Sequence, residues 1–160
     1  MLYATLKTLH LLAIIVWIGG MVFAHFFVRP ALPAFEPAVR VRLMHAVLGR
    51  FFGAVLAAIV VTLVTGLWMI GNVAKQVVQA GGHFSMPLAW TVMATLGIVM
   101  MLIFGHIRFS LYKRLSRAAQ AADWPAGAAA LAQIRTWVLV NLGLGVLIVL
   151  VTLLGIPQSL

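Results

Sequence analysis

Five histidines and eight methionines are the side chains best suited to chemistry in this chain, which has no cysteine. Imidazole and thioether together suit Cu(I). Two imidazoles on facing helices can instead ligate haem iron. The lack of cysteine excludes disulfides, thiolate metal sites and dithiol redox chemistry. The only carboxylates are Glu36 and Asp123, both in expected loops. With no nucleophile–base–orienter arrangement beside them, general acid/base catalysis by carboxylates is not expected.

The histidines must be positioned by what surrounds them. Charged residues make up 8% of the 160 residues, against roughly 25% in a soluble domain. Four apolar runs of about 20 residues therefore read as transmembrane helices. The spans are expected at about 4–28, 50–70, 88–107 and 136–155, in a single all-α, four-helix membrane bundle covering 1–160. Pro30, Pro33 and Pro37 should interrupt any helix after the first span, with Pro37 tolerated in the first turn of the second. Gly71-Asn72 to Pro87 reads as a loop turning at Gly81-Gly82. The third helix can continue past the membrane through Lys113 and Arg117, and Asp123 reads as the N-cap of the fourth, with Pro125 behind it. The first apolar run is too long for a cleavable signal core.

Of the eleven Lys and Arg, all but Lys7 and Lys75 lie in the stretches Arg29–Arg50 and Arg108–Arg135. Such residues in short loops mark the cytoplasmic side, so both termini should face outward, into the periplasm of a Gram-negative bacterium, with short helical extensions in the cytoplasm. The net charge of +9 flanks apolar spans rather than forming a patch on a soluble fold. It therefore points to anionic lipid headgroups rather than nucleic acid. A homo-oligomer is compatible with such a chain.

These clusters also measure depth. Lys7, His10, Trp17, Met21 and His25 fall within an arc of about 80° on the first helix, and ionisable groups in a span usually face the bundle interior. His10 lies about 28 Å from Arg29 along that helix, near the outer surface. His25 and His106 lie near Arg29 and Arg108, at the inner surface. His10 and His106 therefore cannot share one metal. An outer site would use His10 with Met69, Met93 or His83. An inner site would use His25 and His106, with His45, at or outside the inner headgroup level, as a further candidate. Met93 and Met100 share a face of the third helix, from which His106 is turned by about 120°. Met stripes at helical spacing are more often packing than ligands, and each histidine has an alternative as a hydrogen-bonded or solvated residue. Asn141 should hydrogen-bond across the bundle near His25 or His106. Small residues at Ala54, Ala58, Thr62 and Gly66, and at Gly143, Gly145 and Gly155, allow close helix approach.

The segments Lys7-Thr8-Leu9-His10-Leu11-Leu12-Ala13, Val16-Trp17-Ile18-Gly19-Gly20 and Val28-Arg29-Pro30-Ala31-Leu32 resemble the start of the CopD-type (copper-resistance protein D) membrane domain. Arg50-Phe51-Phe52, Thr65-Gly66, His106 followed by Tyr112-Lys113-Arg114-Leu115, and Leu131-Ala132-Gln133-Ile134-Arg135 before Asn141 extend the likeness. The resemblance implies a four-helix bacterial inner-membrane protein associated with copper. The HemJ-type protoporphyrinogen oxidases, associated with haem b, have a similar first helix. Their third helix carries a lysine shortly after a tryptophan. Here Trp90 is followed by Thr91, Val92, Met93 and Ala94, which argues against porphyrinogen oxidation.

Three functions follow from these residues. Copper binding or transport is favoured on the resemblance. A small b-type cytochrome with haem on His10, His25 or His106 is the alternative. A structural or partner subunit without cofactor is the third.

Overall fold

The computed structural model describes residues 1–154; Gly155, the expected end of the fourth span, lies outside the described residues. Four rods are long and apolar enough to cross a membrane: Leu2–Ala34, Pro37–Gln79, Leu88–Gln120 and Trp124–Leu154. The first comprises α1 (Leu2–Phe23), a π segment (Ala24–Val28), the short α2 (Arg29–Ala31) and a 3-10 turn (Leu32–Ala34). The second is α3 (Pro37–Gln79). The third comprises α4 (Leu88–His106), a π segment (Ile107–Leu111) and α5 (Tyr112–Gln120), and the fourth is α6 (Trp124–Leu154). No strand occurs among the described residues.

Helices are dictated here because lipid offers the backbone no hydrogen-bond partners, so each span must satisfy its own N–H and C=O groups. The most apolar stretch of each rod is only 11–22% buried inside the protein. Leu12, Ile15, Val60, Val64, Leu67 and Leu102 point outward. Apolar side chains all round the helices are what a lipid environment requires.

Two expected breaks are passed by the chain. Pro30 does not end the first rod. The turn before it widens, and the Arg29 N–H bonds the Ala24 carbonyl five residues back. That spacing accommodates the proline ring, which in a regular helix meets the carbonyl four residues earlier. The rod ends only at Phe35, whose backbone is extended. Gly71-Asn72 does not start a loop either. A glycine inside a helix costs about 1 kcal/mol, and the following Val73 to Gln79 continue α3 regardless. The stop comes at Gly81, with φ of 77°. Its N–H bonds the Val78 carbonyl and that of Gly82 bonds Val77, which closes the carbonyls of the last turn.

The extension through Lys113 and Arg117 forms as α5. Asp123 then serves two helices. Its N–H bonds the Ala118 carbonyl to close α5, and its Oδ1 accepts from the Ala126 N–H at 3.0 Å to open α6. The N-cap expected from sequence is thus formed.

The bundle core lies towards the basic end. Trp17 meets the edge of Phe104 at 6.2 Å, Phe52 meets Phe104 at 5.7 Å, and Phe52 meets Tyr112 at 5.4 Å. α1 packs mainly on α3, whereas α6 touches α1, α3, α4 and α5 and is the principal partner of α4. Close approach depends on missing side chains. A Cβ on Gly20 would lie 2.2 Å from Phe51 Cε2, and one on Gly127 would lie 2.8 Å from Val41 Cγ1. Of the small residues marked in sequence, Ala58 and Gly145 are buried, while Ala54 and Gly143 are exposed.

Candidate functional site

His10 is 8% exposed and Thr65, from α3, is 3% exposed. Their Nδ1 and Oγ1 atoms are 2.9 Å apart. The Thr65 hydroxyl lies 2.6 Å from the Val61 carbonyl one turn back. A hydroxyl has one proton and two lone pairs. With that proton donated to Val61, Thr65 Oγ1 accepts from His10 Nδ1–H. This arrangement favours the tautomer protonated on Nδ1, with the lone pair on Nε2. Gly66 makes room for the ring, since a Cβ there would stand 3.2 Å from His10 Cε1. One turn towards the basic end, the Thr62 hydroxyl is buried without a hydrogen-bond partner. The sequence alone does not pair Thr65 with His10; the trace it leaves is a hydroxyl next to a glycine inside an apolar span.

Met69 is half-buried and one turn beyond Thr65 on the same face of α3. Helical side chains lean towards the N-terminus, which from Met69 means back over Thr65 and Gly66, where the imidazole lies. Met93 is also half-buried. A Cβ on Gly145 would lie 3.1 Å from Ile18 and 3.3 Å from Met100, so those residues mark one depth in the bundle. About 11 Å from that level, away from the basic end, α1 carries His10 and α4 carries Met93. Met93 is therefore level with His10, although its helix packs chiefly on α6. Met21 and Met100 are buried in the core.

The expected inward face of α1 is formed by His10, Ala13, Trp17 and Met21, all buried. Lys7 is exposed and His25 half-buried. His25 lies in the first π segment, against the Phe26 ring at 4.8 Å. It lines a groove of about 400 Å³ together with Arg29, Arg40 and Arg135. Arg29 donates from Nη2 to the Leu131 carbonyl at 2.8 Å, tying the end of the first rod to α6.

His106 is exposed, with its ring 5.5 Å from Trp137. It lines neither the groove nor the smaller cavity that His25 shares. His25 and His106 thus occupy different surroundings. His45 stacks on Tyr112 at 5.2 Å and accepts through its carbonyl from the Tyr112 hydroxyl at 3.1 Å. His83 is exposed in the loop after α3. Asn141 is 1% exposed, but its Oδ1 has no hydrogen-bond partner. The expected cross-bundle bond to His25 or His106 is not made, because those rings turn towards the groove and Trp137. Among the described residues no three His, Asp or Glu side chains converge as a metal cage.

A family profile described as copper resistance protein D matches residues 45–154. The matched region takes in Thr65, Gly66, Met69 and Met93, while α1 with His10 precedes it. No curated protein and no solved structure shows a significant match. With four membrane-crossing rods and a profile match over well more than half its length, the chain is a multi-pass membrane protein belonging to the copper resistance protein D (CopD) family.

Proposed function

We propose that this protein handles copper by binding Cu(I) in the half of the bundle away from the basic clusters, as a step in moving the ion across the membrane. The observation that carries this is the buried His10 imidazole, its Nδ1 2.9 Å from the Thr65 hydroxyl. A buried imidazole whose Nδ1–H is held by a hydroxyl presents Nε2 as a ready ligand, and an ordered second partner is the usual companion of a ligating histidine. Met69 on the facing helix, with Met93 at the same depth, supplies thioethers. Neutral imidazole and thioether without carboxylate or thiolate form a donor set suited to Cu(I). Copper is here the cargo. His25 is not part of this site, because it shares its groove with three arginines, whose charge opposes a cation. Nor is His106, exposed beside Trp137.

The distribution of Lys and Arg supports placing both termini, and the His10 site, on the outer side of a bacterial inner membrane. The test is titration of detergent-purified protein with Cu(I) against a chromogenic chelator under anaerobic conditions. Binding should be lost in His10→Ala, weakened in Met69→Leu, and retained in His25→Ala and His106→Ala. Full Cu(I) binding by His10→Ala would overturn the assignment.

A further inference from the structure

The groove at the basic end is a second site, independent of the copper reading. It lies between the end of the first rod and α6, has a volume of about 400 Å³, and is lined by Arg29, Arg40, Arg135 and His25 with no Asp or Glu. The chain cannot neutralise it elsewhere. It holds eleven Lys and Arg against two carboxylates; Asp123 is already engaged in capping α6, and Glu36 is exposed and does not line the groove. Three guanidinium groups around one half-open groove repel one another unless an anion sits among them.

Depth and wall chemistry identify the anion. Arg29 directly follows the first apolar run and Arg135 directly precedes the apolar part of α6, so the groove sits at headgroup level. Leu32, Val41 and Leu131 form part of its wall. A small free anion has no use for those apolar surfaces, whereas a phosphate attached to acyl chains does. Arg29 is fixed in place by its bond to the Leu131 carbonyl. A guanidinium has five N–H donors, so one such bond leaves others available for phosphate oxygens. Forked donors of this type match phosphate geometry.

We infer that the groove among His25, Arg29, Arg40 and Arg135 binds the phosphate of an anionic phospholipid headgroup, with the acyl chains running along the apolar surface beside the first rod. This differs from the diffuse attraction of a basic surface to a charged bilayer, because particular arginines converge on one cavity.

The experiment uses purified full-length chain in neutral detergent and measures lipid binding by native mass spectrometry, with thermal unfolding as a second readout. Phosphatidylglycerol should be retained and should raise the unfolding midpoint, while phosphatidylcholine and inorganic phosphate should not. Arg40→Gln/Arg135→Gln should weaken phosphatidylglycerol binding by about tenfold or more. The charge-matched Arg114→Gln/Arg117→Gln, outside the groove, should stay close to native. Arg135→Gln alone, at an exposed side chain, should show part of the loss even if the double variant folds poorly. Equal losses in the two double variants would show general surface attraction and overturn the site. Stabilisation by inorganic phosphate as strong as by the lipid would overturn the lipid as occupant. Cu(I) binding should be unchanged in Arg135→Gln, which separates this site from the one on His10.

Discussion

Thr65→Val is the substitution that separates a ligand from a structural histidine. Valine nearly matches threonine in shape and replaces the hydroxyl by a methyl group. It removes the hydroxyl that faces His10 Nδ1 in a place where Thr65 is 3% exposed. Two effects then compete for attention. In soluble cores an orphaned donor costs about 1–3 kcal/mol, but interhelical hydrogen bonds in membranes contribute about 0.6 kcal/mol on average and about 1.7 at most. The membrane value governs here, because a chain unfolded within lipid also finds partners. The expected loss of stability is therefore about 1 kcal/mol, read as a modest shift in detergent-induced unfolding. Loss of the group that orients a ligating histidine typically weakens metal binding by about 10–100-fold, equivalent to about 1.4–2.7 kcal/mol. Cu(I) affinity should thus fall by more than stability does. Thr65→Ser, which keeps the hydroxyl, should restore most of it, and Thr65→Val should add nothing in a His10→Ala background. A Thr65→Val protein that binds Cu(I) as tightly as the native chain would refute the reasoning from tautomer to ligand.

Two further predictions concern packing. Gly20→Ala should lower stability by about 1–3 kcal/mol, because its Cβ would stand 2.2 Å from Phe51 Cε2. Gly19→Ala, whose Cβ would meet nothing within 4 Å, should melt like the native protein, and equal melting of both variants would contradict the packing described. Asn141→Leu should be neutral or stabilising within about 1 kcal/mol, since it removes a buried Oδ1 that has no partner and fills the space with apolar atoms. A larger loss of stability on thermal unfolding would mean that the amide holds a group in the native state.

The spans were legible because lipid leaves so little choice: an apolar run of sufficient length must be helical throughout. The N-cap at Asp123 was legible because it depends on one side chain and the backbone just after it. Pro30 and Gly71 misled for a common reason. Each is a local penalty of a size that neighbouring packing or a widened turn can absorb, so neither residue alone ends a helix. The inward face of α1 could be read through His10, Trp17 and Met21, where the rod runs against its neighbours. It failed at Lys7 and His25, where the rod leaves the packed region or changes pitch. Thr65 and the Arg29–Leu131 bond stayed hidden because both join elements far apart in sequence. Periodicity shows which residues share a face, not which residue of another helix faces them.

The two π segments, Ala24–Val28 and Ile107–Leu111, lie at the same end of the bundle, one in each of two rods. A π turn holds one residue more than a regular helical turn, and each residue carries about 100° of rotation. In genetic terms, each rod therefore contains a removable codon. Losing one residue from Ile107–Leu111 would let that stretch wind as ordinary helix, with α4 and α5 keeping nearly the same relative facing, because the wider turn already absorbs the extra residue. The widened turns thus let a rod gain or lose a residue near its basic end over evolutionary time while the segments on either side keep their facing, so the opposite half of the bundle is not disturbed.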